Sequence, residues 1–303
     1  MPEITFIGTG SAIPSAMRNA SSILVKNNDH YIIMDSGENA LFNIFNVFGS
    51  NKGHEILTKL EFIFISHAHM DHFVGLFSLI NYWSEANSNN PSKKLNIVCH
   101  EYISQLVNFF TSKWNCKQTE KCKFITSKEK TIDVNKMAII NEFGLDGISF
   151  CKTIHINSSI GLRLDFKSGF SLSYSGDTRY CRDFVKLSKH VDLMIHEATF
   201  ENKLADPAKI TNHSTNEDAL HATINSECKF ALLTHFSQRY DKCPRINNKV
   251  DGKEISNFGI AYDNLFVNER NISSLGKFYC LVKKALENHG DEMMQEKISR
   301  FSQ

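Results

Sequence analysis

The sequence predicts an α/β protein in which β-sheets are covered by helices, and three observations carry that expectation. Strand-like runs crowd the segment up to Met34. From Phe170 onward, strands alternate with helices. Between them, Leu60 to Ile65 is a nearly continuous apolar run, the pattern of a strand buried on both faces.

The elements follow in order. Ile4 to Ile7 is apolar and ends in a turn at Gly8-Thr-Gly10. Ser22 to Val25 and Tyr31 to Met34 read as two strands joined by the polar hairpin Asn27-Asn-Asp29. Glu38 to Phe48 reads as a helix, because Leu41, Ile44, Phe45 and Phe48 fall on one face of a 3.6-residue period. A second helix is expected from Phe73 to about Glu85, then a polar loop from Asn87 to Lys94. Lys113 to Lys130 is lysine-rich and weakly patterned. Ile148 to Ile154 is β-prone. Phe170–Tyr174, Val191–Ile195 and Phe230–Leu233 read as strands. Ser214 to Ser226 reads as a helix with a capping box, Ser214-x-x-Glu217. Gly276 to His289 reads as a closing helix.

Composition bounds the function. The chain has 303 residues, 42% of them apolar, with only 15 glycines and 5 prolines, so it can build a large core and is not a disordered or collagen-like polymer. No linker or internal repeat divides it, and residues 1–303 read as one domain. Lys plus Arg is 34 against 33 for Asp plus Glu, a net charge of +1. A nucleic-acid site must therefore be a local patch, not a whole-molecule field. Lys113, Lys117, Lys121, Lys123, Lys128 and Lys130 are one candidate patch. Lys242, Arg245, Lys249 and Lys253 are another. A solvated face is the plainer reading of each. No apolar run is long enough for a membrane helix. The N-terminus reads as neither a secretory signal nor a mitochondrial presequence. The eight scattered cysteines include no CxxC pair, which suits reduced thiols in a cytoplasmic or nuclear protein.

The chemistry concentrates in Ser66-His67-Ala68-His69-Met70-Asp71-His72. Three imidazoles and a carboxylate follow directly on a buried strand, and these are ligand types that suit Zn²⁺. In a tight turn, His67 and His69 can face one metal while Asp71 and His72 face a second. Further ligands are sought at strand ends, where Asp177, His155 and His235 lie. Taken singly, Asp177 could be a turn residue and the histidines half-buried core groups. His196-Glu197-Ala198-Thr199 ends another strand, and His213-Ser-Thr215 follows. Glu197 and His213 could form a proton relay. They could equally be a buried structural carboxylate and a loop histidine.

In this order the motifs resemble the metallo-β-lactamase fold, and within it the tRNA 3′-processing endonuclease family, tRNase Z. The residues are HxHxDH at 67–72, His155, Gly176-Asp-Thr178, His196-Glu-Ala-Thr199, His213-Ser-Thr215 and His235. The opening Phe6-Ile-Gly-Thr-Gly-Ser-Ala-Ile-Pro14 and the late Gly259-Ile-Ala-Tyr-Asp263 are also similar. Leu232-Leu-Thr-His-Phe-Ser-Gln-Arg-Tyr240 resembles especially the C-terminal catalytic half of the long form.

The resemblance implies an αββα sandwich, two central sheets flanked by helices. It implies a zinc-dependent endoribonuclease that removes the 3′ trailer from precursor tRNA and leaves a 3′-OH. One of two zinc ions would take His67, His69 and His155, the other Asp71, His72 and His235, with Asp177 between them. Asp71 would also orient the attacking hydroxide as base. Glu197 and His213 would supply the proton to the leaving oxygen. Arg18 and Asn19 match part of a loop that contacts the acceptor stem, although Ala16 stands where the family has Lys.

One departure matters. Short family members carry a tRNA-binding arm between the positions of His155 and Asp177. Here only a hairpin fits, and no separate arm is identified. The grip on precursor tRNA would then come from another surface, a homodimer or an accessory tRNA-binding subunit, or binding would be weak. A thioester or other small ester hydrolase would share the metal ligands without needing Glu197 and His213. A relative acting on DNA or mRNA would need a large insertion between Asp177 and His235, and there is none. A non-catalytic RNA-binding subunit would lack ligands, and none is missing.

Overall fold

The computed structural model describes residues 2–113, 117–127, 143–240, 244–277, 281, 284 and 285. Two sheets lie at its centre. Strands β1 (Glu3–Gly8), β2 (Ser22–Asn27), β3 (His30–Ser36), β4 (Leu60–Phe64), β5 (Leu95–His100) and β6 (Cys122–Ser127) belong to the first. The second contains β7 (Leu145–Lys152), β8 (Ile160–Phe166), β9 (Ser171–Tyr174), β10 (Leu193–Glu197), β11 (Phe230–Thr234) and β12 (Phe258–Ile260). β13 (Phe266–Asn268) closes the edge of the first sheet, whose order is β13-β1-β2-β3-β4-β5-β6. The second sheet runs β12-β11-β10-β9-β8-β7.

Each sheet begins antiparallel and becomes parallel. β3 to β6 are mutually parallel, and so are β9 to β12. Parallel strands need covering on both faces, and their residues here are apolar on both. Ile32, Met34, Phe62 and Phe64 point to the inter-sheet core, meeting Leu164, Leu172, Tyr174, Ile195 and Leu232. The alternate residues Ile33, Ile63 and Ile97 point outward to helices α1 (Ala40–Thr58), α3 (Leu76–Ala86) and α4 (Glu101–Lys113). On the far side Met194, Ala231 and Leu233 pack under α5 (Arg182–Leu187) and α6 (Asn216–Ser226). The layers are helix, sheet, sheet, helix. Trp83 of α3 is fully buried and its indole N–H donates to the Leu60 carbonyl at 2.9 Å, so the one polar atom of the ring is satisfied.

Several elements differ from their sequence expectation for identifiable reasons. The helix expected over Glu38–Phe48 starts at Ala40, after a left-handed Asn39. It continues to Thr58 across a kink at Gly49 (φ 76°), because Ile56 and Leu57 extend the buried stripe. The helix expected from Phe73 divides into α2 (Met70–Phe73) and α3, so that His72 lies in its own short turn. The capping box lies one residue later than expected. Thr215 accepts from the Asp218 N–H, and Asp218 accepts from Thr215 in return. Ser214 is not free to cap, since its hydroxyl donates to the Thr178 carbonyl at 2.6 Å. Most of Gly276–His289 lies outside the described residues, as do Lys128, Lys130 and Lys242. No helix among the described residues is long and apolar enough to cross a membrane.

Candidate metal centre

The carboxyl ends of β3, β4, β9, β10 and β11 open on one common edge, the usual place for a site in parallel sheets. β4 delivers Ser66 and His67. β9 delivers Asp177, β10 delivers His196 and Glu197, and β11 delivers His235. Two glycines permit the crowding. At Gly176 (φ 56°) a Cβ would stand 2.6 Å from the Ser66 Cβ, and at Gly37 it would stand 2.3 Å from the Asp71 carbonyl oxygen. Asp35 (φ 57°) and His235 (φ 60°) both hold left-handed backbone. Such strain persists where surrounding structure over-determines it, often at functional sites.

Seven side chains converge here in two adjoining groups. His67, His69, His155 and Asp177 present donor atoms all within 4.8 Å of one another, as do Asp71, His72 and His235. His155 Nε2 lies 3.0 Å from His69 Nδ1, and His72 Nε2 lies 3.0 Å from His235 Nε2. Asp177 stands between the groups. Its Oδ2 is 3.5 Å from His67 Nε2 and 3.3 Å from His72 Nε2, and its Oδ1 is 3.4 Å from His235 Nδ1.

The donor set fits divalent metal. His155 Nδ1 faces the Asn212 carbonyl at 2.9 Å and His72 Nδ1 faces an Asp35 carboxylate oxygen at 2.7 Å. Both partners only accept, so each Nδ1 carries a proton and each Nε2 can present its lone pair to the cluster. Nitrogens sharing a tetrahedral zinc at ordinary bond lengths stand about 3.3 Å apart, close to the spacings here. His67 Nε2 and Asp177 Oδ1 are buried with no hydrogen-bond partner, the orphaned atoms that a cation would satisfy. Electrostatics agree. Burial resists a charge on His72, yet Asp177, Asp71 and Asp35 together raise it well above the ordinary imidazole range. Burial likewise disfavours the Asp177 carboxylate, but His235, His72 and His67 hold it well below the usual range. The carboxylates thus favour positive charge at His72, while burial lowers His67, His69 and His155 below the ordinary imidazole range and so favours the neutral form that can offer a lone pair.

Asp35 is one of two residues that the sequence did not single out. It is fully buried and accepts from the Ser66 N–H (2.7 Å), the Ser66 hydroxyl (2.7 Å), the Tyr174 hydroxyl (2.6 Å) and His72. A carboxylate behind a metal-ligating histidine fixes its tautomer and orientation. The only available signal was a charged residue ending an apolar strand, Ile32-Ile-Met-Asp35. Thr199 was also passed over. Its hydroxyl lies 2.7 Å from Glu197 Oε2, 2.9 Å from His235 Nδ1 and 3.3 Å from His213 Nδ1.

Beside the seven lies the Glu197–His213 pair. Glu197 is buried, and its Oε1 accepts from His213 Nδ1 at 2.9 Å and from the Thr178 N–H at 2.8 Å. Burial opposes a charge on His213, but Glu197 outweighs it and lifts the imidazole to about 9. The same ring lies 3.8 Å from Asp177 Oδ2, so the pair adjoins the cluster.

Arg18 and Asn19 are placed differently from a loop that reaches outward. Arg18 is only 3% exposed. Its guanidinium donates to Thr9 Oγ1 (2.6 Å) and the Ala261 carbonyl (2.8 Å), between the rings of Phe236 and Tyr262. The Asn19 N–H donates to Asp263 at 2.6 Å. The loop so anchored brings the Ala12 N–H to Asp71 Oδ2 at 2.7 Å. Of the lysine patches, Lys121 donates to the Asn87 carbonyl at 2.7 Å, and Lys249 and Lys253 lie in a two-residue hairpin.

Residues 2–249 match the family model for the anti-Pycsar protein Apyc1. The chain belongs to this family. It is also a homologue of ribonuclease Z. It is 31% identical to the mitochondrial ribonuclease Z of Drosophila melanogaster, over 99% of this chain and 39% of that protein. It is 29% identical to zinc phosphodiesterase ELAC protein 2 of Mus musculus, over 99% and 37%. This family member thus spans about two fifths of the length of these curated relatives. The crystal structure of a long-form RNase Z from yeast superposes with TM-score 0.84 at 27% identity, over 96% of this chain and 44% of that one. The metallo-β-lactamase fold protein YhfI from Bacillus subtilis superposes with TM-score 0.65 at 21% identity, over 88% and 100%, a likeness of fold. The chain has the metallo-β-lactamase fold.

Proposed function

We propose that this chain is a zinc-dependent endoribonuclease that removes the 3′ trailer from precursor tRNA. The observation that carries the reading is the buried Glu197 holding His213 at 2.9 Å, directly beside the metal-binding cluster. Simple ester hydrolysis does not require such a pair. Homology with ribonuclease Z over nearly the whole chain supports it.

His67, His69 and His155 would hold one zinc, and Asp71, His72 and His235 the other, with Asp177 shared. Two such cations activate a water and clamp a phosphodiester for in-line displacement. The chain's own residues do the rest. Asp71 is fixed by the Ala12 N–H and can orient the attacking water as base. Glu197 keeps Nδ1 of His213 engaged, which leaves Nε2–H as the atom that donates. As the new P–O bond forms and the P–O3′ bond breaks, that proton passes to the leaving 3′ oxygen. The tRNA leaves with a 3′-OH, and the trailer carries a 5′-phosphate. Arg18 and Asn19 would act on the acceptor stem only through the loop they anchor.

Only the hairpin of β8 and β9 lies between His155 and Asp177. The grip on tRNA is therefore assigned to another surface, a second copy or an accessory subunit, with residues 1–303 as one catalytic unit. The same lack of an arm favours a second reading, a phosphodiesterase acting on a smaller phosphodiester. The free Cys99, Cys122, Cys151, Cys181 and Cys228 support a reducing compartment, cytoplasm or nucleus.

The test is incubation with a 3′-extended precursor tRNA, with and without chelator. Chelator-sensitive cleavage just past the discriminator base, with a 3′-OH product, is expected. Inert RNA beside turnover of a small phosphodiester would move the assignment to the second reading. Inert RNA beside turnover of a thioester would overturn both.

A further inference from the structure

A cleft of about 520 Å³ opens beside His155, within the size range that holds a small ligand. One wall is the end of β7 and the turn after it, with Lys152, Ile154 and Asn157. The other is Tyr180, Arg182 and Asp183 at the start of α5. The walls are tied to the cluster. The Ile154 N–H donates to Thr178 Oγ1 at 2.9 Å and its carbonyl accepts from the Arg179 N–H at 3.0 Å, one and two residues past Asp177. Cys181 Sγ reaches the Lys152 carbonyl at 3.6 Å, joining wall to wall.

The chemistry of the lining is specific. Lys152 and Arg182 are exposed, and neither has an acidic partner among the described residues. Asp183, the carboxylate in the cleft, lies 3.5 Å from Lys186. Ile154 is 46% exposed beside His155. The half-buried Tyr180 is steadied by Asn225, which donates to its hydroxyl at 2.8 Å. Two exposed cations, an apolar contact and a fixed aromatic ring match one nucleotide, its phosphate on the cations and its base on the ring.

We propose that this cleft binds a second nucleotide of the substrate strand, next to the scissile phosphate, through Lys152 and Arg182 to its phosphate and Tyr180 to its base. The inference rests on the endoribonuclease reading above and adds to it a site outside the metal cluster. It makes the preferred substrate a polynucleotide, because a single phosphodiester cannot fill both places.

The experiment uses the whole zinc-loaded chain and the variants K152Q, R182Q and the double variant. Three quantities are read: zinc content, turnover of bis(p-nitrophenyl) phosphate, and the salt dependence of binding to a non-cleavable single-stranded RNA oligonucleotide. Zinc content and small-substrate turnover should match wild type. RNA binding should weaken about tenfold in the double variant, and the slope of log K against log salt should become shallower by about 0.7 per charge removed. An unchanged slope and affinity would overturn the proposal and leave the cleft to solvent. A parallel fall in small-substrate turnover would also overturn it, placing both cations in the metal site's support. Failure of wild type to process precursor tRNA would count against the tRNA reading alone, since the salt slope judges the cleft without cleavage.

Discussion

The hydroxyl of Thr199 lies between His235 and Glu197, 2.9 Å from the Nδ1 of the first and 2.7 Å from Oε2 of the second. A hydroxyl has one proton. Glu197 can only accept, so the proton goes to Glu197 and the oxygen accepts from His235 Nδ1–H. That leaves His235 Nε2 as the free lone pair, facing Asp71 at 3.3 Å. One small side chain thus sets the tautomer of a candidate ligand and steadies the carboxylate that holds His213. Thr199→Ala should lower zinc affinity about 10–100-fold. Thr199→Ser should restore it. Metal titration of both variants, alongside cleavage rates at saturating zinc, checks this. Wild-type affinity in the alanine variant would refute the link.

The Glu197–His213 pair predicts a pH dependence with a definite sign. A proton donor works only while protonated, so activity falls as pH rises through its pKa. Glu197 raises that pKa, so Glu197→Gln should move the alkaline limb of the kcat/KM profile to lower pH. The acidic limb should stay in place. His213→Ala should slow cleavage by a factor of about 10²–10⁴. Because His213 also adjoins Asp177 and His235, zinc content must be measured in parallel. Near wild-type zinc would separate proton donation from ligation, whereas lost zinc would make His213 a ligand.

The convergence of the candidate ligands was legible because their chemistry is local. Four of the seven residues fall in the single motif 67–72, and the other three each end a strand-like run. The sheets were legible for a similar reason, since a parallel strand covered on both faces declares itself as an apolar run such as Leu60–Ile65. Asp35 was not legible, because its role is set by contacts to Ser66, His72 and Tyr174, which are distant in sequence. The position of Arg18 was hidden for the same reason. Its loop looks polar and outward, but Phe236 and Tyr262 close over the guanidinium from the far end of the chain. The capping box was misplaced by one residue because Ser214 and Thr215 are equivalent as caps until the Thr178 carbonyl claims Ser214.

Zinc should stabilise the fold as well as activate it. A metal that binds only the folded chain adds about 4 kcal/mol when its free concentration is 1,000 times its Kd. For a chain of this size that is on the order of 10 °C in Tm. Chelation should lower Tm by several degrees, and zinc should restore it. Stoichiometry adds a sharper test. His67→Ala and His72→Ala should each lose about one zinc, and Asp177→Ala should weaken both. Equal loss of both metals in every variant would argue against two separable ligand sets.

Asp35 gives a prediction that separates orientation from folding. Asp35→Asn keeps the size of the side chain and an acceptor oxygen for the Ser66 N–H, and it replaces with an amide NH₂ the oxygen that faces His72, the Ser66 hydroxyl and the Tyr174 hydroxyl. It removes the charge that favours a proton on His72 Nδ1. Zinc affinity at the Asp71, His72 and His235 group should fall about 10–100-fold, with the other group little changed. Zinc titration followed by competition with a chromogenic chelator resolves the two affinities. Equal weakening at both groups would assign Asp35 to the common scaffold, and unchanged binding would remove it from the metal centre.

Arg18 tests whether the loop 12–19 works by touching substrate or by holding shape. The guanidinium is buried and donates to Thr9 Oγ1 and to the Ala261 carbonyl. Hydrogen bonds from a charged group contribute about 1.5–3 kcal/mol each, and lysine cannot reproduce the planar fork or the stacking between two rings. Arg18→Lys should therefore lower Tm and loosen the loop that brings the Ala12 N–H to Asp71. RNA cleavage should fall through kcat, while the salt dependence of RNA binding stays as in wild type, because a buried cation releases no counterions on binding. A shallower salt slope with unchanged Tm would instead make Arg18 a direct phosphate contact.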